Sequence, residues 1–153
     1  MLPNVLEATI DIAAAPEQVW GVVSDLQRIR EFSPNTLRMQ PLGRTVRTGT
    51  WTVNLNKAEG YVYPSTSRIV RFEPNQALAF RMNENGTVWS YTLEPTADGG
   101  TKLIQRRDVP KGKLPGWLQL TVDKVFGGEA AFEGGLVQGM HETLGRIKET
   151  LER

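Results

Sequence analysis

Residues 77–109 read ALAFRMNENGTVWSYTLEPTADGGTKLIQRRDV, and this stretch decides the fold. Leu78, Phe80 and Met82 recur at every second position. Trp89, Tyr91 and Leu93 do the same, with Val88, Ser90 and Thr92 between them. A period of two is the signature of a strand with two unlike faces. Between the two runs lies Glu84-Asn85-Gly86, and Asn-Gly tolerates the positive φ that a tight hairpin needs. Pro95 through Gly100 makes a second turn, and Thr101–Val109 closes the run as a further strand. If Trp89, Tyr91 and Leu93 face inward, simple register brings Leu103, Gln105 and Arg107 to the same face.

Working outward, the same pattern extends upstream. Leu37–Leu42 is a short strand ending at Gly43, Thr48–Asn56 carries Trp51, Val53 and Leu55 in alternation, and Tyr61–Glu73 runs to a turn at Pro74-Asn75. With Val70 and Phe72 inward on that last strand, Arg68 and Thr66 are expected on the inner face. The N-terminus opens with Leu6, Ala8, Ile10 and Ile12 at strand spacing. Pro16 then suits a first helical turn, with Glu17 favouring the positive helix end. Val19, Trp20, Val23 and Leu26 form a helical face; Ser24-Asp25 breaks that helix or caps the next, which Ile29 and Phe32 anchor and Ser33-Pro34-Asn35 stops.

Past residue 113 the period returns to helix. Leu114, Leu118, Val122, Val125 and Phe126 form one stretch, with a break expected at Gly127-Gly128. Leu136, Met140, Leu144, Ile147 and Leu151 form one face of a long helix. Gly134, Gly135 and Gly139 are read as thinning that helix where it passes the sheet or a ligand. The order is strand, two short helices, six strands and a long helix. An antiparallel sheet needs cover for its apolar face, and only the C-terminal helix is long enough to supply it.

Composition bounds the chemistry. The 153 residues correspond to about one domain. Eighteen Lys and Arg against seventeen Asp and Glu leave a formal charge of +1, which exerts no general pull on nucleic acid or an anionic membrane but leaves room for a local patch. With no cysteine there is no disulfide, thiolate metal site, Fe–S cluster or Cys nucleophile. One histidine, His141, excludes a multi-His zinc site. No P-loop, dinucleotide fingerprint or His-Glu-x-x-His occurs. Glu129 and Glu133, four apart without companions, read as a charged helix face. No metal and no cofactor are expected. No signal peptide and no apolar run of about 20 residues is seen, so the expected location is the cytoplasm, without integral membrane association.

Several phrases in this order carry a resemblance: Ala15-Pro16-Glu17-Gln18-Val19-Trp20, Ser24-Asp25, Phe32-Ser33-Pro34, Phe72-Glu73-Pro74, Trp89 to Pro95 with Gly99-Gly100-Thr101, and Gly139-Met140-His141-Glu142-Thr143-Leu144. The chain resembles the START-like helix-grip superfamily (SRPBCC), and within it the polyketide cyclase/dehydrase and lipid-transport group. The resemblance implies an α+β helix-grip fold over residues 1–153 as a single domain: a curved antiparallel sheet around a long C-terminal helix, with two short helices after the first strand. It implies binding of a hydrophobic small molecule (a lipid, a polyketide or another aromatic or isoprenoid ligand) between sheet and helix. Two alternatives stand beside this: a polyketide aromatase/cyclase or dehydratase using inward Arg and Tyr groups, and a protein-interaction module with a filled core. Whether the chain is an enzyme is left open, as is a homodimer or protein partner; nucleic acid is not an expected partner.

An apolar pocket with a few polar groups is what such a site requires. The candidate ligand-binding residues are Trp51, Arg68, Phe80, Trp89, Tyr91, Gln105, Arg107, Trp117 and Met140. Arg68, Gln105 and Arg107 could hold a carboxylate, an enolate or a phenolic oxygen. Tyr61 and Tyr63 share a strand face and join Arg68 as candidate catalytic groups, because a phenol can protonate or hydrogen-bond a carbonyl. His141 is the remaining candidate, a natural base near neutral pH that stands beside the apolar stripe. Trp20 is read as core. Arg106-Arg107 with Lys111 and Lys113 is read as a solvated basic loop.

Overall fold

The computed structural model describes residues 5–58, 60–109 and 129–153, with side chains for all of these except 58 and 129–134. The elements are β1 (Val5–Ile12), α1 (Pro16–Val23), a 3-10 turn (Leu26–Arg28) running into α2 (Ile29–Phe32), β2 (Thr36–Pro41), β3 (Trp51–Ala58), β4 (Tyr61–Glu73), β5 (Ala77–Met82), β6 (Val88–Pro95), β7 (Thr101–Asp108) and α3 (Glu129–Leu151). The strands form one open antiparallel sheet in the order β1-β7-β6-β5-β4-β3-β2. Only β1 leaves sequence order, crossing over to pair with β7. This is the helix-grip architecture expected from the sequence. The helical stretch expected at 114–126 and its break at Gly127-Gly128 lie outside the described residues.

Local chemistry sets the element ends. Pro16 opens α1 with no donor to waste, and the Ala15 N–H donates to Gln18 Oε1 at 3.0 Å. Ser24 ends the helix: its N–H returns to the Trp20 carbonyl, and its Oγ donates to the same oxygen at 2.6 Å. Left-handed residues make the turns on either side of β5. Asn75 takes φ 65° between β4 and β5, and Gly86 takes φ 74° between β5 and β6. The Gly86 N–H donates to the Met82 carbonyl at 2.8 Å, and the Thr87 N–H to Asn85 Oδ1 at 2.8 Å, closing the hairpin that Asn85-Gly86 signals.

The core lies between the inner sheet face and the helices. Leu78, Leu103 and Ile69 from the sheet meet Val19 and Leu26 from the N-terminal helices and Met140, Leu144 and Ile147 from α3. α3 packs on β1, β7, α1 and α2. Trp20 is partly buried against this core, edge-on to Phe72 with ring centroids 5.2 Å apart.

Two face assignments need correction. Pairing of β4 with β5 shifts between Ile69 and Arg71. That irregularity puts both Ile69 and Phe72 toward the core, so counting in twos back from Phe72 gives the wrong face. Ser65, Ser67 and Ile69 are buried, while Arg68 and Val70 are exposed on the outer face. On β3 the buried residues are Thr52 and Asn54, and Trp51, Val53 and Leu55 stand outside. Alternation announces two faces but does not say which one the rest of the chain covers.

Candidate functional site

A cavity of about 480 Å³ opens between the sheet and α3. Its first wall is the register of β6 on β7, which pairs Trp89 with Arg107, Tyr91 with Gln105 and Leu93 with Leu103. Trp89, Tyr91, Gln105 and Arg107 all line the cavity, and Arg107 is only 3% exposed. Gln105 Nε2 donates to the Tyr91 hydroxyl at 3.2 Å. The Gln105 Oε1 is buried and meets no donor among the described residues. A carbonyl oxygen left so beside a cavity is a ready acceptor, because an unmatched buried polar atom gains a full hydrogen bond from a ligand donor. Burial pushes the Tyr91 phenol well above its ordinary range, so it stays protonated and able to donate.

The second wall is polar and comes from β3 and β4. Thr52 Oγ1 donates to Asn54 Oδ1 at 2.8 Å and also shares a hydrogen bond with Ser67. Asn54 Nδ2 and Asn56 Nδ2 both donate to Ser65 Oγ, at 3.3 and 2.8 Å. Asn54, Asn56 and Ser65 line the cavity, so this ladder forms a wall of amides and hydroxyls held by its own bonds. The third wall is α3, with Leu136, Gly139, Met140 and Thr143. Thr143 Oγ1 donates back to the Gly139 carbonyl at 2.7 Å, which removes its proton from the cavity's polar inventory. Phe80, Met82 and Met39 complete the apolar lining.

Tyr61 and Tyr63 stand at the rim, 57% and 41% exposed, and both line the opening. Their shared strand face is as expected. Burial raises the Tyr63 phenol's pKa, while the charge of Arg107 pulls it down less strongly. Tyr63 and Arg107 line the same cavity.

The structure thus gathers Phe80, Trp89, Tyr91, Gln105, Arg107, Met140, Tyr61 and Tyr63 around one space. It excludes three candidates from that space. Arg68 and Trp51 are paired neighbours on the outer face, for the reasons given above. His141 is exposed on α3, one residue from Met140 and so turned off the buried stripe. Trp117, Lys111 and Lys113 lie outside the described residues. The basic stretch at the end of β7 divides by alternation: Arg106 is exposed and bonds Asp108 at 3.0 Å, whereas Arg107 is buried. Asn54, Asn56, Ser65 and Thr143 are cavity residues that the sequence reading did not name. The signal for Asn54, Asn56 and Ser65 was the small polar residue at every second position of β3 and β4, opposite the apolar set. Among the described residues no cluster of three His, Cys, Asp or Glu could hold a metal, and no helix is long and apolar enough to cross a membrane.

An open antiparallel sheet gripping a C-terminal helix around a cavity defines a helix-grip, cavity-bearing protein. The chain belongs to the family described as polyketide cyclase/dehydrase and lipid transport, whose model matches residues 4–152. That description covers chemistry on, and carriage of, hydrophobic small molecules. No curated protein matches the sequence. Among solved structures, the chain is similar to the Zhui aromatase/cyclase from a Streptomyces species, with 18% identity, a TM-score of 0.79, and coverage of 97% of this chain and 93% of that one. It is similar to the di-domain ARO/CYC BexL, with 17% identity, a TM-score of 0.73, and coverage of 97% of this chain and 50% of that one. It is also similar to the KanY protein, with 19% identity, a TM-score of 0.70 and full coverage of both chains. At these identities the likeness concerns the fold.

Proposed function

We propose that the protein binds one hydrophobic small molecule in the cavity between the sheet and α3, with the molecule's polar end at Arg107, Gln105 and Tyr91. The observation that carries this reading is the lining itself. Apolar side chains from Phe80, Trp89, Met82 and Met140 share one space with a buried guanidinium, a free amide oxygen and a protonated phenol. Apolar walls desolvate a ligand, and a few fixed polar groups orient it. A carboxylate, enolate or phenolic oxygen suits Arg107, and a hydroxyl donor suits Gln105 Oε1. A cavity of about 480 Å³ is the opposite of the filled core that a pure protein-interaction module would present.

A second reading, aromatase/cyclase chemistry on a poly-β-ketone, gains support from Tyr63 and Arg107 lining the same cavity. In such a reaction a methylene carbon between two carbonyls loses a proton to water at the cavity's open rim and, as its enolate, attacks a ketone carbonyl of the same chain. The new C–C bond leaves an alkoxide that takes up a proton. Breaking of its C–O bond, with loss of a second α-proton to water, releases H2O on aromatisation. Arg107 would hold the enolate oxygen, and Tyr63 would protonate the oxygen that departs.

Native mass spectrometry of gently purified protein, followed by organic extraction, tests the first reading. A stoichiometric lipophile supports it. Protein that emerges empty and binds no lipid, sterol, quinone or aromatic polyketide overturns it. Adding a poly-β-ketone and finding a product smaller by the mass of water, absent with Tyr63→Phe, would select the second.

A further inference from the structure

The outer face of β2–β4 is unusual for a solvated surface. Trp51, Val53 and Leu55 on β3 and Val62 and Val70 on β4 are all exposed, with Trp51 at 47%. Register places Leu55 beside Pro64, Lys57 beside Val62, Val53 beside Thr66 and Trp51 beside Arg68, so an apolar row runs along β3 and turns onto β4 at Pro64 and Val62. Cations frame it. Arg38 lies opposite Leu55, Arg68 opposite Trp51, and Arg81 opposite Arg68. From residue 36 to 84 the chain carries seven Lys or Arg and three Asp or Glu; the remainder carries eleven and fourteen. The near-zero total therefore conceals a basic segment in an otherwise acidic chain.

Beside Trp51 the β2–β3 loop forms a cup of about 500 Å³, lined by Arg44, Arg47, Gly49 and Thr50. The loop is held in place: the Arg47 N–H donates to Thr50 Oγ1 at 3.0 Å and the Gly49 N–H to the Ile69 carbonyl at 2.7 Å. A Cβ at Gly49 would stand 4.0 Å from Arg68 Nη2, so a third guanidinium reaches the cup's edge. Among the described residues none of Arg38, Arg44, Arg47, Lys57, Arg68 or Arg81 forms an ion pair.

We propose that this face docks on an anionic lipid membrane, with Trp51, Val53 and Leu55 against the acyl boundary and a lipid phosphate in the cup between Arg44, Arg47 and Arg68. Apolar and basic groups side by side match a membrane surface, which offers hydrocarbon next to anionic headgroups. A second copy of the chain fits poorly, because a two-fold contact would set each row of cations against itself. Nucleic acid fits poorly too, because apart from Trp51 the row is aliphatic, and Val53, Leu55, Val62 and Val70 offer no second ring for a base to stack on. The inference does not depend on the cavity's being a binding site.

Co-flotation with phosphatidylcholine vesicles, with and without about a third phosphatidylglycerol, tests it at low and at about 0.5 M salt. Binding is expected to the anionic vesicles at low salt and to fall with salt. Neutralising two cations with Arg68→Gln and Arg81→Gln together should weaken it about 30-fold, from about fivefold per cation. Trp51→Ser should weaken it about tenfold. Lys102→Gln with Arg30→Gln, which keeps this face intact, should leave it unchanged. All five positions are exposed, and thermal melts confirm that each variant folds. Absence of flotation with anionic vesicles at low salt overturns the proposal. So does equal loss in the Lys102/Arg30 control, a concentration-dependent dimer abolished by Trp51→Ser, or oligonucleotide binding that the Arg68/Arg81 pair removes while vesicle binding stays.

Discussion

Arg68 and Arg107 are the same side chain in opposite surroundings. Arg107 is buried on the inner face of β7, opposite Trp89, and lines the cavity. Arg68 is exposed on the outer face of β4, opposite Trp51. A hydrogen bond to a charged group contributes about 1.5–3 kcal/mol. Arg107→Ala should therefore lower affinity for a cavity ligand about 10- to 100-fold, while Arg68→Ala leaves it within a factor of about two. Titration calorimetry with the lipophile recovered from the protein reads both. Equal losses would mean that the polar end of the ligand is not at Arg107.

Elements show a parallel contrast in α3. Gly145 has open space where a Cβ would stand, but at Gly139 a Cβ would run into the Asn35 side chain. Asn35 is fixed in turn: its Nδ2 donates to the Lys57 carbonyl at 3.3 Å, and its own carbonyl accepts the Lys57 N–H at 2.9 Å. Gly145→Ala should stabilise by about 0.5–1 kcal/mol through helix propensity alone. Gly139→Ala should instead destabilise by about 1 kcal/mol by displacing Asn35, and Asn35→Ala added to it should recover the loss. Urea unfolding of the four proteins settles the signs. The helix end is clamped as well. Glu152 Oε2 accepts from Lys148 Nζ at 2.6 Å and from the Ala13 N–H at 2.8 Å, and Lys148 Nζ donates to the Asp11 carbonyl at 2.7 Å. The Lys148 bond, then the Ala13 N–H, holds the Glu152 carboxyl below its ordinary 4.5. A carboxyl lowered on folding stabilises above its unfolded value, and that contribution is lost as pH falls through the lower folded value. Glu152→Gln should thus lower the melting temperature at neutral pH and narrow its gap to wild type below pH of about 4, as followed by circular dichroism. The same element scale explains what the sequence disclosed. Strand and helix existence, order and turns were legible because period two, Asn-Gly and Pro are local signals. The inner set Trp89, Tyr91, Gln105 and Arg107 was legible because β6 and β7 pair without a bulge. Arg68 was misplaced because a single irregularity between Ile69 and Arg71 reverses the count, and nothing local marks it. The polar wall of Asn54, Asn56 and Ser65 escaped because apolar residues were taken as the inward set, whereas at this end of the sheet a cavity replaces the core.

At the scale of the whole molecule, the cavity makes stability and binding one quantity. Ile69, Leu78, Leu93 and Leu103 pack against α1 and α3 as a filled core, but around Phe80 and Trp89 the sheet faces open space of about 480 Å³. An unfilled space forgoes contact energy that a dense interior would have. A ligand that fits recovers that energy only in the folded state, so it must raise the folded state's stability. At a hundred times its dissociation constant the gain is about 2.7 kcal/mol, independent of chemistry. For a chain of this length that corresponds to a rise in melting temperature of about 5–10 °C. Leu136 on α3 faces the same space and is only partly buried. Leu136→Trp should fill part of the cavity with the protein's own ring. The variant should keep or exceed the melting temperature of the ligand-free protein and lose the ligand-induced rise. Scanning calorimetry of both proteins with and without the extracted lipophile measures all four values. An undiminished rise in Leu136→Trp would place the ligand elsewhere on the molecule.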